Sequence, residues 1–317
     1  MSFFTDVERE VTVTRRDIVA PDVVALTFSA SNGRPLPAWT PGAHIDVILR
    51  SGTERQYSLC SRPDRRDTWR IAVLREADGR GGSIAAHEIS VGDVLRVRGP
   101  RSTFPFAAPP SGAPAVFIAG GIGITPILPM IHAAADAGAD WVLHYAARSR
   151  EALVSLDELQ CYGDRVRVYV SEEGRRIDPS TLIDEAGAAP IWACGPERMI
   201  TALTDAATQH TNLQAERFAP GALPAPAWRG PFDVELASTG DVISVGEDTS
   251  ILEALEERGV FAVSSCREGT CGTCETVVIE GDVDHRDRVL TASERETSPV
   301  MMICVSRAAC SRLVLDV

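Results

Sequence analysis

Cys266-Arg267-Glu268-Gly269-Thr270-Cys271-Gly272-Thr273-Cys274 is the stretch that decides the reading of this chain. Four residues separate its first two cysteines and two separate the next pair. Twenty-nine further residues separate Cys274 from Cys304, in Met302-Ile303-Cys304-Val305. Four thiolates at this spacing hold the two irons of a plant-type 2Fe–2S cluster, so Cys266, Cys271, Cys274 and Cys304 are the candidate metal ligands. Gly269 and Gly272 give the loop freedom to wrap, where a Cβ would obstruct backbone N–H groups aimed at sulfur. The competing readings are incidental thiols and a zinc site, but structural zinc usually takes paired C-x₂₋₄-C elements rather than a triplet and a distant single.

The 317 residues exceed what one core usually encloses and predict two or three domains. All 31 basic residues are arginine, which excludes P-loop, kinase-type and Schiff-base lysines. A formal charge of −13 argues against nucleic-acid binding. Residues 232–317 hold 17 Asp and Glu against 7 Arg, a net of −10, which suits either a solvated, solubilising surface or docking to a basic face of a protein acceptor. The start of the chain shows no signal segment, and the apolar run 113–135 is broken by Gly120, Gly121, Gly123, Pro126 and Pro129, so no membrane span is expected. Eight cysteines, four of them assigned to iron, fit a reducing cytoplasm, leaving Cys60, Cys161, Cys194 and Cys310 as free thiols.

Outward from the cysteine loop, residues 232–317 read as strands at 232–237 and 242–245, a helix at 250–258, the loop and closing strands. A Pro-rich linker, 219–231, precedes them. Residues 107–218 alternate strands (115–119, 141–145, 167–170, 191–194) with helices, one from about Pro126 and one reaching Ala207, which predicts a doubly wound parallel α/β sheet. Residues 1–106 give short strands at 11–14, 23–28, 44–49, 69–74 and 94–97 between turn signals, which predicts an antiparallel β-barrel.

Three further motifs carry chemistry. Arg55-Gln56-Tyr57-Ser58, placed after a barrel strand, offers a cation for phosphate, a ring for stacking and a hydroxyl for a ring nitrogen. Gly81-Gly82-Ser83 opens a helical Ile84-Ala85-Ala86-His87 and suits a phosphate; a plain turn with a Ser cap reads equally well. Gly120-Gly121-Ile122-Gly123-Ile124-Thr125-Pro126, between a buried strand and a helix, lets a pyrophosphate approach the backbone. Cys194-Gly195-Pro196 ends a later strand of the same sheet, and ligands of open α/β sheets bind at such strand ends.

Together, and in this order, these pieces resemble the ferredoxin–NAD(P)H reductase superfamily, specifically the phthalate dioxygenase reductase and vanillate demethylase reductase type. The resemblance spans essentially the whole chain. It implies a flavin barrel, a nicotinamide domain and a C-terminal plant-type ferredoxin of α+β (β-grasp) fold. It also implies that Arg55, Tyr57 and Ser58 contact the flavin, with Ser58 near N5, and that Gly81, Gly82 and Ser83 hold the phosphate of FMN rather than FAD. Gly121, Gly123, Thr125 and Pro126 then form the nucleotide turn, and Cys194, Gly195 and Pro196 lie beside the nicotinamide. Ser58, Thr125 and Cys194 are the candidate catalytic residues, and Phe218 the aromatic over the flavin. Arg148 stands where the adenosine ribose would lie; an arginine there suits NADPH, but relatives of this type mostly use NADH, and NADH is expected. The implied function is electron delivery from NADH through FMN and the cluster to a Rieske-type oxygenase acting on an aromatic acid or quaternary amine. A P450 or other monooxygenase as acceptor, and a redox-sensing role, are the rival readings.

Overall fold

The computed structural model describes residues 7–50, 52–77, 81–207, 212–218, 225–290 and 292–317. The chain divides into two compact units, Met1–Phe218 and Ala219–Val317. The Pro-rich stretch 219–231 lies outside the described residues as far as position 224. Among the described residues no helix is long and apolar enough to cross a membrane.

The first unit begins with six strands: β1 (Arg9–Ala20), β2 (Val23–Ala30), β3 (Ala43–Ile48), β4 (Glu54–Ser58), β5 (Trp69–Leu74) and, after the short helix α1 (Gly82–His87), β6 (Val94–Ser102). They form one antiparallel sheet in the order β4-β3-β6-β1-β2-β5. Alternate residues of β1 and β2, among them Val11, Val13, Val24, Leu26 and Phe28, point inward around Trp69 and Leu59. The Arg55–Ser58 motif follows β3 and is itself strand β4, paired with β3 so that Ser58 faces His44 and Arg55 faces Val47. It is held by ladder bonds and by Asp46, which accepts from Gln56 at 2.9 Å.

The α/β part follows with β7 (Pro114–Gly120), α2 (Ile124–Asp136), β8 (Asp140–Ala147), α3 (Leu156–Leu159), β9 (Val166–Val170), α4 (Pro179–Ala186), β10 (Ile191–Cys194), α5 (Glu197–Ala206) and β11 (Leu213–Glu216). The five strands are all parallel, in the order β11-β10-β7-β8-β9. Along β7, Ala115, Phe117 and Ala119 enter one core with Ile124, Ile127 and Ile131 of α2. Val116 and Ile118 enter another with Leu182 and Ile183 of α4 and Ile200 and Leu203 of α5. Helices on both faces explain why this strand is apolar without alternation. Helix α2 starts two residues before Pro126, after a single 3₁₀ turn at Gly121–Gly123, because proline needs no N–H partner in a first turn.

The barrel and the α/β sheet share a core: Ala20, Val23, Cys60, Phe104 and Phe106 join the α2 side of the parallel sheet. Phe106 meets Trp192 edge-on, with ring centres 4.9 Å apart, and Trp192 Nε1 donates to Pro105 O at 3.3 Å. Ion pairs Arg62–Asp136 (2.6 Å) and Arg70–Glu158 (2.7 Å) rim the contact.

The second unit contains β12 (Phe232–Leu236), β13 (Val242–Val245), α6 (Ile251–Glu257), β14 (Glu275–Glu280), β15 (Val283–Asp284), α7 (Ala292–Thr297), β16 (Val300–Met302), β17 (Arg307–Ala308) and β18 (Arg312–Leu315). Its main sheet runs β13-β12-β18-β14-β16, with β12 and β18 parallel and the other pairs antiparallel; β15 and β17 form a second, two-stranded sheet. Helix α6 opens on a capping box, in which Ser250 Oγ accepts from Glu253 N and the Glu253 carboxylate accepts from Ser250 N. Its Ile251, Leu252 and Leu255 complete a core with Phe232, Val234, Met301, Met302 and Leu313.

Candidate functional site

At the carboxyl ends of β7 and β10 the two glycine turns lie directly against each other. A Cβ on Gly123 would stand 2.5 Å from the carbonyl carbon of Cys194 and 2.6 Å from Gly195 N; one on Gly195 would stand 2.9 Å from Gly120 Cα. These are backbone contacts that only glycine permits. Gly121 takes φ 53 to turn the chain into α2. Thr125 is buried, its hydroxyl donating to Ile122 O at 2.9 Å, and Pro126 is buried in the first turn of α2. Pro196 caps α5, its ring against Gly120. The 3₁₀ turn also packs on β5 of the barrel, so the parallel sheet's strand ends face the first sheet.

Two residues that pattern alone does not single out support this crevice. The buried Tyr145 hydroxyl, on β8, is shared between Gly121 O and Val154 O, each at 3.2 Å, and so props the turn from beneath. Glu216, the last residue of β11, pairs in register with Cys194. Part of its stem is exposed, yet its Oε2 is buried with no hydrogen-bond partner among the described residues. Burial pushes this carboxyl up to about 8, so it holds a proton at neutral pH. Cys194 is fully buried; burial first, and then the charge of Glu216, push its thiol well above the ordinary range, so it is no thiolate nucleophile. The signal for Glu216 was an acidic residue at a parallel strand's carboxyl end, legible only once that strand is known.

On the barrel, Arg55 and the Gly81–Gly82 turn meet. A Cβ on Gly82 would lie 2.6 Å from Arg55 Cγ and 2.8 Å from Cδ, while Gly81 takes φ 76 to start α1. Arg55 donates to Glu54 O at 2.8 Å. Ser83 Oγ accepts from Glu76 N at 3.0 Å, tying the helix start to the loop after β5. Helix α1 begins at Gly82, so its first free amides belong to the glycine turn itself. Ser58 is buried, and burial pushes the Tyr57 phenol up to about 12, with Arg55 opposing, so Tyr57 is a neutral hydroxyl. Arg148 is exposed and paired with Glu172 at 3.1 Å. Phe218, at the end of the first unit, is exposed.

In the second unit the cysteine loop gathers four sulfurs. Cys266 is in hydrogen-bonding contact with Cys271 and Cys304, and Cys274 with Cys304. Cys271, Cys274 and Cys304 are buried and Cys266 partly so; none of the eight cysteines is in a disulfide. The mutual contacts push Cys266 and Cys274 toward thiolate and hold Cys271 and Cys304 as thiols. Backbone amides point at sulfur: Glu268 N to Cys266 Sγ at 3.3 Å and Thr273 N to Cys271 Sγ at 3.4 Å. Arg267, Gly269 and Gly272 all take positive φ (56, 71 and 76), which is how so short a loop presents three sulfurs at once. Among the described residues no three His, Cys, Asp or Glu side chains surround one point as for a single ion. The thiols lie instead in pairwise contact, a donor set whose soft sulfurs, convergence and amide lining fit a two-iron cluster.

Residues 10–106 match the oxidoreductase FAD-binding domain family, residues 117–205 the oxidoreductase NAD-binding domain family and residues 234–309 the 2Fe-2S iron-sulfur cluster binding domain family. The chain is 42% identical to a putative toluene-4-sulfonate monooxygenase system reductase subunit of Comamonas testosteroni, over 97% of this chain and 98% of that protein. It is 37% identical to the carnitine monooxygenase reductase subunit of Escherichia coli, over 97% and 98%. Among solved structures it is similar to phthalate dioxygenase reductase (TM-score 0.73, 31% identity, 98% of each chain). It also resembles an intact type IV self-sufficient cytochrome P450 monooxygenase (TM-score 0.88, 41% identity), where it covers 98% of its own length but 41% of that longer chain. With a flavin-type barrel, a nucleotide-type parallel sheet and a ferredoxin-type unit in that order, the chain belongs to the phthalate dioxygenase reductase type of the ferredoxin–NAD(P)H reductase superfamily, the flavin and iron–sulfur reductases of oxygenase systems.

Proposed function

We propose that the protein takes reducing equivalents from NADH onto FMN and passes them singly through a 2Fe–2S cluster to a Rieske-type oxygenase. The observation that carries the reading is the gathering of Cys266, Cys271, Cys274 and Cys304 by a loop of three positive-φ residues. Cys266, Cys271, Cys274 and Cys304 would together hold the cluster through their sulfurs. When bound, the flavin supplies conversion of a two-electron donor into a one-electron outlet, and the cluster supplies the single-electron carrier.

The chain's own residues bind and orient. Gly121 and Gly123 let a pyrophosphate reach the backbone at the start of α2, and Gly195 and Pro196 form the opposite wall for the nicotinamide. Thr125 and Tyr145 hold the turn in place, and Cys194 is an uncharged, water-free surface under the ring rather than a nucleophile. Arg55 and the Gly81-Gly82-Ser83 turn form the phosphate site of FMN, with Tyr57 and Ser58 on the same strand toward the flavin ring. The Arg148–Glu172 pair already neutralises the arginine that a 2′-phosphate would need, which favours NADH. Phe218 covers the flavin. Domain limits at 1–106, 107–218 and 232–317 follow from these assignments.

The Rieske-type acceptor, and an aromatic acid or quaternary amine as its substrate, are favoured by end-to-end similarity to subunits of oxygenase systems named for toluene-4-sulfonate, phenoxybenzoate and carnitine. The similarity to a P450 chain favours a second reading, a haem monooxygenase acceptor. Anaerobic mixing with NADH tests the relay. Cys271→Ser retains flavin reduction at the wild-type rate but no longer reduces cytochrome c or the oxygenase. Cluster-dependent transfer that survives in this variant overturns the ligand assignment. Electron delivery to a purified haem monooxygenase but to no Rieske oxygenase decides for the second reading.

A further inference from the structure

We propose that Asp287 is a positioning residue that clasps the two separate parts of the cysteine set, and thereby sets how firmly the cluster is kept and at what potential. This rests on the four thiolates being its ligands. Asp287 is a fully buried carboxylate. Its Oδ2 accepts from Val289 N at 3.1 Å and Leu290 N at 2.9 Å, and its Oδ1 accepts from Ser306 Oγ at 3.2 Å. Ser306 is itself fully buried, stands two residues after Cys304 and accepts from Arg286 N at 3.2 Å.

The opposite side of the same segment grips the cysteine loop. Arg288 N donates to Gly269 O at 2.8 Å. Gly269 takes φ 71 with its Cα so close that an added Cβ would lie 3.1 Å from Asp287 Cα and 3.4 Å from Asp287 Cβ, and against Val305. Asp287 also accepts through its backbone carbonyl from Arg295, and His285 Nδ1 lies 3.8 Å from its Oδ1. Residues 285–290 therefore touch the loop between Cys266 and Cys271 and, through Ser306, the turn after β16 that carries Cys304.

A buried carboxylate costs several kcal/mol unless donors converge on it. Here the amides of Val289 and Leu290 shape its own turn and the Ser306 hydroxyl fixes the approach of Cys304. Its negative charge, held without solvent beside the thiolate loop, disfavours adding an electron to the cluster and so lowers its potential. Apolar packing would not have that effect.

The test uses the full-length holoprotein with Asp287→Asn, Ser306→Ala and, as a control on the sheet's edge strand β13, Ile243→Ala. Iron and sulfide per flavin, the rate of cluster loss to an iron chelator, and the cluster midpoint potential are measured. Asp287→Asn is expected to lose the cluster at least about tenfold faster and to shift the potential to more positive values. Ser306→Ala loses it several-fold faster. Ile243→Ala lowers thermal stability and leaves the potential where it was. Wild-type retention and potential in Asp287→Asn overturn the proposal, as does an equal potential shift in Ile243→Ala. If Asp287→Asn does not fold, unchanged retention in Ser306→Ala overturns it. Wild-type protein without iron and sulfide overturns the ligand assignment as well; a cluster-bearing wild type matched by Asp287→Asn overturns this inference alone.

Discussion

Replacing Gly123 by alanine tests the contact between the two glycine turns. Its φ of −62 suits any residue, so backbone strain is not the issue. The new methyl meets the Cys194 carbonyl group, with the carbon at 2.5 Å and Gly195 N at 2.6 Å. Ordinary contact needs about 3.4 Å, and neither partner is a flexible side-chain end, so the turns must part by roughly 1 Å. Overpacking of this kind costs about 1–3 kcal/mol of stability. A displacement of about 1 Å in a positioned reactant costs on the order of 100-fold in rate, about 2.7 kcal/mol. Gly187→Ala is the control. At φ 56 and ψ −119, with nothing within 4 Å, it loses about 1–3 kcal/mol through the positive-φ backbone alone, at the C-cap of α4 and away from the strand ends that carry the turns. Anaerobic stopped-flow reduction of the flavin by NADH, with thermal unfolding alongside, separates the two effects. Gly123→Ala should lose about 100-fold in kcat/KM for flavin reduction, and Gly187→Ala less than about fivefold. Equal loss in both variants, or wild-type reduction in Gly123→Ala, refutes the reasoning.

The buried carboxyl of Glu216 makes stability depend on pH. Below its ordinary value of 4.5 both folded and unfolded chains hold the proton; between 4.5 and about 8 only the folded protein does, so stability falls as pH rises through that window and levels off above it. The loss is a few kcal/mol at most, and Glu216→Gln should flatten it in urea titrations at pH 5, 6.5 and 8; an unchanged slope assigns the dependence elsewhere. The net charge of −10 on residues 232–317 predicts that the second-order rate with the oxygenase falls about tenfold between low and high salt, and a flat profile removes electrostatic docking. Flavin released by heat and weighed by mass spectrometry should be FMN; an adenine-containing mass places a longer cofactor on the Arg55 and Gly82 side.

The amino-acid sequence by itself determined the order of the three parts and the identity of their local motifs. Cys266, Cys271 and Cys274 share one loop, and Gly121 and Gly123 share one turn, so spacing alone carries their meaning. Strands such as β7 and β12 were legible because burial on known faces imposes an apolar pattern. Strand β4 shows no such pattern, because its Arg55 and Gln56 serve ladder and polar contacts rather than a core. Tertiary structure alone decided the rest. Gly123 is required by Cys194, Tyr145 props Gly121, Glu216, in register with Cys194, is neutral because the fold buries its carboxyl, and Asp287 matters because Ser306 and Gly269 meet across it. In each case the partner lies well beyond one turn of chain. The chemistry of such a group is fixed by the desolvation and close approach that only the folded backbone creates.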